Sequence, residues 1–116
     1  MHAALGHYRA LHNAARRQAE ALDAGEFDRF LAILDEREAL LGLIDAAGLP
    51  SEQRERQETE TLARAILQTD EANATRLRQA LEAAQQELGA LRGGQRLMQS
   101  YRSSAERPAR FIDHSG

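Results

Sequence analysis

Apolar positions recur along this chain in steps of three and four from its first residues to about residue 100, the spacing that lines one face of an α-helix. Three such runs are separated by two breaks. The first run, Leu5, Tyr8, His12, Ala15, Ala19 and Leu22, keeps Arg9, Arg16, Arg17 and Glu20 off its stripe and predicts an amphipathic helix of about five turns with a thin inner face. Asp23-Ala24-Gly25 ends it, because Gly accepts the left-handed conformation that closes helices and Asp can cap the next helix. The second run starts near Glu26 and is far more apolar: Phe27, Phe30, Leu31, Ile33, Leu34, Leu40, Leu41, Leu43 and Ile44. This arc is wider than one neighbour can cover. Asp35-Glu36-Arg37-Glu38 interrupts it and reads as a solvated patch. Gly48-Leu49-Pro50-Ser51 is the second break: Gly suits a helix end, Pro cannot continue the ladder, and Ser51 is a good cap.

The third run organises the rest. Glu52 to Thr61 holds no apolar residue and predicts an exposed or frayed turn. From Leu62 the stripe continues through Ile66, Asn73, Leu77, Leu81, Ala84, Leu88 and Leu91, pauses at Gly93-Gly94, and resumes as Gln95 to Arg102. Ile66, Leu77 and Leu88 recur every eleven residues, which predicts a nearly straight or slightly right-handed stripe. Ile66, Leu77, Leu34 and Leu41 are the expected core.

The fold expected from these runs is all-α: an antiparallel up-down-up three-helix bundle with a long third helix and a mobile or short-helical C-terminal tail. Residues 1–92 would form the bundle and 93–116 a C-terminal segment. If Asp23-Ala24-Gly25 only kinks the chain, a long kinked helical hairpin results instead. The acidic turn after Gly25, with Glu26 and Asp28 at the positive end of a helix dipole, favours a restart and hence the bundle. Composition agrees with helices: there is no Val, only four Ile and four Thr are β-branched, and 22 residues are Ala.

Charge and residue usage narrow the function. Cys is absent, which removes disulfides and thiolate chemistry. No apolar run is long enough to span a membrane and no signal-peptide pattern opens the chain, so a soluble, cytoplasmic protein is expected. The net charge of -3 is uneven: residues 1–91 carry 16 acids against 10 Arg, whereas 92–116 carry 5 Arg against 2 acids. His2, His7, His12 and His114 share no i,i+4 face, Gly93-Gly94 is not a phosphate loop, and no basic face interleaved with aromatics suits nucleic acid. No catalytic, cofactor or metal site is therefore expected, and the chain does not read as an enzyme. Asp70 and Asn73, on or beside the inner stripe, read as hydrogen-bonding residues that fix helix register. What remains is an apolar face. Leu81, Leu88 and Leu91 lie where the first two helices need not reach and, continued from Leu77, form a candidate groove for a partner helix. A structural alternative buries the same stripe against a second copy, as a homodimeric coiled coil.

Two stretches, read together, resemble the small flagellar type III export chaperones. Leu22-Asp23-Ala24-Gly25-Glu26-Phe27-Asp28, leading into Leu34-Asp35-Glu36-Arg37-Glu38-Ala39-Leu40-Leu41, is similar to the Gly-acid-aromatic turn and acidic-Arg-Leu-Leu helix that these proteins often carry. Ile66-Leu67-Gln68-Thr69-Asp70-Glu71-Ala72-Asn73, with the later Arg96-Leu97-Met98-Gln99-Ser100-Tyr101, resembles the FliT type, and Arg110-Phe111-Ile112-Asp113 the tail of FliT and FlgN relatives. The resemblance implies a cytoplasmic chaperone that holds a filament-cap subunit, or in the FlgN case the hook-filament junction proteins. It implies delivery to the cytoplasmic domain of the export gate, with a C-terminal helix that can fold back over the groove. The gate-docking tyrosine of the family falls by motif position on Tyr101. Leu97 and Met98 stand one turn earlier on the same side.

Overall fold

A computed structural model describes residues 2–110, with side chains through residue 102. It is all helix and loop among those residues: α1 (Ala3–Asp23), α2 (Phe27–Ala47) and α3 (Gln53–Arg110). The tail motif at 111–113 lies outside the described residues.

Both short breaks are made by glycine. After Asp23 the Gly25 N–H donates to the Leu22 carbonyl (3.1 Å) and the Glu26 N–H to the Ala21 carbonyl (2.8 Å), and Gly25 takes φ +70°. Those are the two bonds of a Schellman stop, so the helix ends here rather than kinking. Gly48, at φ +72°, closes α2 with its N–H on the Ile44 carbonyl at 3.1 Å. At the other end of α1 the His2 imidazole caps the helix, its Nδ1 accepting from the Ala4 N–H at 3.1 Å.

Two compact units divide the chain, one up to Arg78 and one from Gln79 onward. In the first, α1 packs against both α2 and α3. The His2 N–H donates to the Glu55 carboxylate (2.8 Å), Arg9 to Glu58 (3.0 Å), Asn73 Nδ2 to the Ala15 carbonyl (3.1 Å) and Arg76 to Asp23 (2.8 Å). These pairs advance together along α1 and α3. Buried positions recur every seven residues on both: Ala4, Leu11 and Gln18, with Ala14 and Ala21, on α1; Thr59, Ile66 and Asn73 on α3. The seven-residue period replaces the eleven-residue one expected, and it is the spacing of knobs-into-holes packing. Apolarity alone misjudged it, because three of the buried positions are polar. Thr59 buries its hydroxyl on the Glu55 carbonyl (2.8 Å) and Asn73 its amide on Ala15.

Three further expectations change. Ile66 is core at 6% exposure, but Leu77 (38%), Leu34 (40%) and Leu41 (50%) are exposed. The inner face of α1 is largely alanine and therefore narrow. It covers only the sector of α2 that holds Ile33, with Phe30, Leu40 and Ile44 half-buried beside it. Leu77 falls at the level where α1 stops, since its neighbour Arg76 meets Asp23, the last residue of α1. The apolar-free stretch from Glu52 to Thr61 is exposed at most positions, as expected, but it is not frayed: Glu55 accepts from the His2 N–H, Glu58 from Arg9, and Thr59 is buried. Arg37 does not belong to a solvated patch. Its guanidinium turns inward, donating to both oxygens of Asp70 (2.7 and 2.8 Å) and to Gln18 Oε1 (2.7 Å).

The second unit consists, among the described residues, of the continuation of α3. The expected break at Gly93-Gly94 is absent. Neither glycine takes positive φ, and the helix runs through both. Residues 95–103 are thus part of α3 and not a separate helix.

Candidate partner-binding surfaces

Leu81, Leu88 and Leu91 stand on the part of α3 in the second unit, and each is exposed, Leu88 at 46%. With Ala84 between them they step by three and four residues, so their side chains share one face of the helix. Leu77, the fourth leucine of the row, belongs to the first unit, at its margin. A helix this apolar on one side normally buries that side, and lone surface leucines do not fall into such a register by composition alone.

Further along the same helix Leu97, Met98 and Tyr101 are also exposed, Tyr101 at 71%. Steps of four and three from Leu97 and Met98 bring Tyr101 beside both, and Arg96 and Arg102 border them. The cluster offers an aromatic ring with a polar tip on an otherwise polar, cationic stretch, which suits insertion into a partner's pocket.

The apolar arc of α2, too wide for one neighbour, stays partly uncovered, on a sector that the sequence did not single out. Phe27, Leu31, Leu34 and Leu41 line the outer side of α2, two of them residues expected in the core. A signal was present in the sequence: Glu38 and Asp45 fall in the same row, and carboxylates in an apolar row argue against burial. Gln18 and Arg37, which tie the three helices together, gave no comparable signal, because polar side chains on helix faces are normally solvated.

No group of three His, Asp or Glu gathers to hold a metal among the described residues. A surface cleft of about 390 Å³ between α1 and α3 is lined by Arg9, Arg54, Gln57, Glu58, Thr61 and Leu62. Arg9 and Glu58 are engaged with each other at 3.0 Å there. No described helix is long and apolar enough to cross a membrane.

The family model described as flagellar protein FliT matches residues 5–103. No curated protein and no solved structure gave a match. The match runs through all three helices, the leucine row and Tyr101, and on that extent the chain belongs to the FliT family, a family of flagellar export chaperones.

Proposed function

We propose that this chaperone works in the cytoplasm, holds a filament-cap subunit on the row Leu77, Leu81, Leu88 and Leu91, and presents it to the export gate. The observation that carries this reading is the exposure of Leu81, Leu88 and Leu91 on one face of α3 in the second unit, with Leu77 exposed at the margin of the first. An amphipathic helix of the client laid along it would bury leucines that the chaperone leaves in water, the helix-in-groove mode. Residues 93–116 act as a docking segment, with Leu97, Met98 and Tyr101 meeting the cytoplasmic domain of the gate. The hook-filament junction proteins are the alternative clients.

Pull-down with the host's cap and junction proteins tests the client. Leu88→Asp should abolish capture while leaving helicity largely intact. Parallel loss of helicity would assign Leu88 to the core instead. The same spacing of three and four also favours a homodimer through this row. Light scattering over a concentration range separates the two: a persistent dimer that client does not displace supports the structural module, and a monomer or a client-displaced dimer supports the chaperone.

A further inference from the structure

On α2, Phe27, Leu31, Leu34, Glu38, Leu41 and Asp45 succeed one another in steps of four and three, the seam of a seven-residue repeat. All six are exposed, and the sector beside them that holds Ile33 is the one turned to α1. Phe27, Leu34 and Leu41 form one set of layers. Leu31, Glu38 and Asp45 form the other, so two carboxylates lie within the apolar seam. Asp28 and Asp35 border it on the side away from α1. The nearest arginine on the opposite border, Arg37, is already spent on Asp70 and Gln18.

These four carboxylates differ from most of the others in this unit. Asp23, Glu26, Glu36, Glu58, Glu60 and Asp70 each meet an arginine, whereas no hydrogen bond or ion pair reaches Asp28, Asp35, Glu38 or Asp45 among the described residues. An exposed apolar seam threaded by unpaired acids selects its occupant by charge. A second copy laid seam to seam would bury Glu38 and Asp45 against carboxylates or apolar side chains of the same seam, with no cation among its six residues, and an anionic lipid surface would be repelled. A helix with leucines in the matching layers and Arg or Lys at every seventh position would bury the apolar side chains and neutralise the carboxylates together.

We propose that the outer face of α2 is a docking site for a basic amphipathic helix of another protein, distinct from the leucine row on α3. Two synthetic helical peptides serve as probes, identical in their leucine face and carrying either Arg or Glu as their only charged residues. Titrated into the full chain, the Arg peptide should bind at least tenfold more tightly than the Glu peptide. Glu38→Arg combined with Asp45→Arg should invert that preference. Leu31→Gln should weaken the Arg peptide about tenfold, while Leu88→Asp leaves it unchanged. All of these positions are exposed, and circular dichroism checks that each variant keeps its helices.

Equal affinity for the two peptides, or a preference that survives the double charge reversal, overturns the proposal. Loss of the Arg peptide in Leu88→Asp places it on α3 and overturns it too. A dimer that Leu31→Gln dissociates in sedimentation identifies the occupant as a second copy. A peptide of residues 92–116 bound with the same dependence on Glu38 and Asp45 identifies it as the chain's own Arg-rich end. Either result removes the separate partner. Because the readout is the α2 variants, it is independent of whether the α3 row holds a filament-cap client.

Discussion

Arg37 gathers one residue from each helix, Gln18 of α1, itself of α2 and Asp70 of α3, with Gln18 Nε2 also reaching the Phe30 carbonyl at 3.4 Å. A bidentate guanidinium-carboxylate pair is geometrically exacting, and here Arg37 is only 16% exposed and Asp70 33%. Arg37→Ala strands the Asp70 carboxylate in a half-buried position and should cost about 2 kcal/mol. Replacing both partners with apolar residues, Arg37→Met and Asp70→Leu, should cost less, because the uncompensated charge is gone. Urea unfolding of both variants decides it, and a double variant as unstable as the single one would mean that packing, not charge, holds the junction. The adjacent residues Arg17 and Glu36 form a second pair, linked to pH. The Arg17 hydrogen bond at 2.7 Å holds the Glu36 carboxyl below its ordinary pKa, and the same bond raises that of Arg17. A lowered carboxylate pKa stabilises the fold fully above the unfolded value and loses that contribution as pH falls through the folded one. Melting temperature should therefore drop on acidification slightly more steeply in the wild type than in Glu36→Gln, with the two curves converging at low pH. The pair is solvent-exposed, so the difference should be small.

Among the elements, glycine separates what was legible from what was not. Gly25 and Gly48 were readable as helix ends because each sits beside other stop chemistry, Asp23 in one case and Pro50 in the other. Gly93-Gly94 has neither, and a glycine pair in a helix lowers stability without ending it. The two kinds of glycine should respond oppositely to alanine. Gly93 is helical with no atom within 4 Å of an added Cβ, so Gly93→Ala should strengthen α3 locally by about 0.5–1 kcal/mol. Gly48 also has open space, but its φ of +72° is strained for any L side chain, and Gly48→Ala should cost about 1–3 kcal/mol. Hydrogen exchange of the flanking amides reads the first effect and global denaturation the second. A slower-exchanging helix in Gly48→Ala, or a faster one in Gly93→Ala, would reverse the assignment. The core was harder to read for a related reason. Periodicity shows that Leu34, Leu41 and Leu77 belong to apolar faces, but which sector of a wide face is covered depends on the neighbour. A mostly alanine face on α1 covers little, and the polar residues Gln18, Thr59 and Asn73 fill positions that hydropathy would have given to leucine.

At the scale of the molecule, the chain leaves much of its large apolar surface uncovered, on α2 in the first unit and on α3 in the second, and both proposed docking surfaces lie there. The leucines after residue 80 were legible because a regular row without a neighbour in the sequence must find one outside it. That the α2 arc is too wide for one neighbour was legible as well, but not which sector stays open, since Leu34 and Leu41 resemble a core until α1 is seen to face the other side. Tyr101 stands out in the sequence as scarce chemistry, one of two tyrosines, set between arginines on a polar stretch. At 71% exposure its ring contributes little to the stability of the free chain, so its removal should be silent until a partner is present. As the proposed anchor in a pocket of the export gate, Tyr101→Ala should weaken docking by about 2 kcal/mol or more, the scale of an interface hot spot. Melting temperature and capture of the client should stay unchanged. Titration calorimetry of the chaperone-client complex with the gate's cytoplasmic domain measures this. Unchanged affinity would remove Tyr101 from the docking surface, and a lowered melting temperature would show the ring packing against its own chain. Leu88→Asp supplies the complementary control: it should lose the client and leave intrinsic gate affinity near wild type, because Leu88 lies more than two turns before Leu97 on the helix.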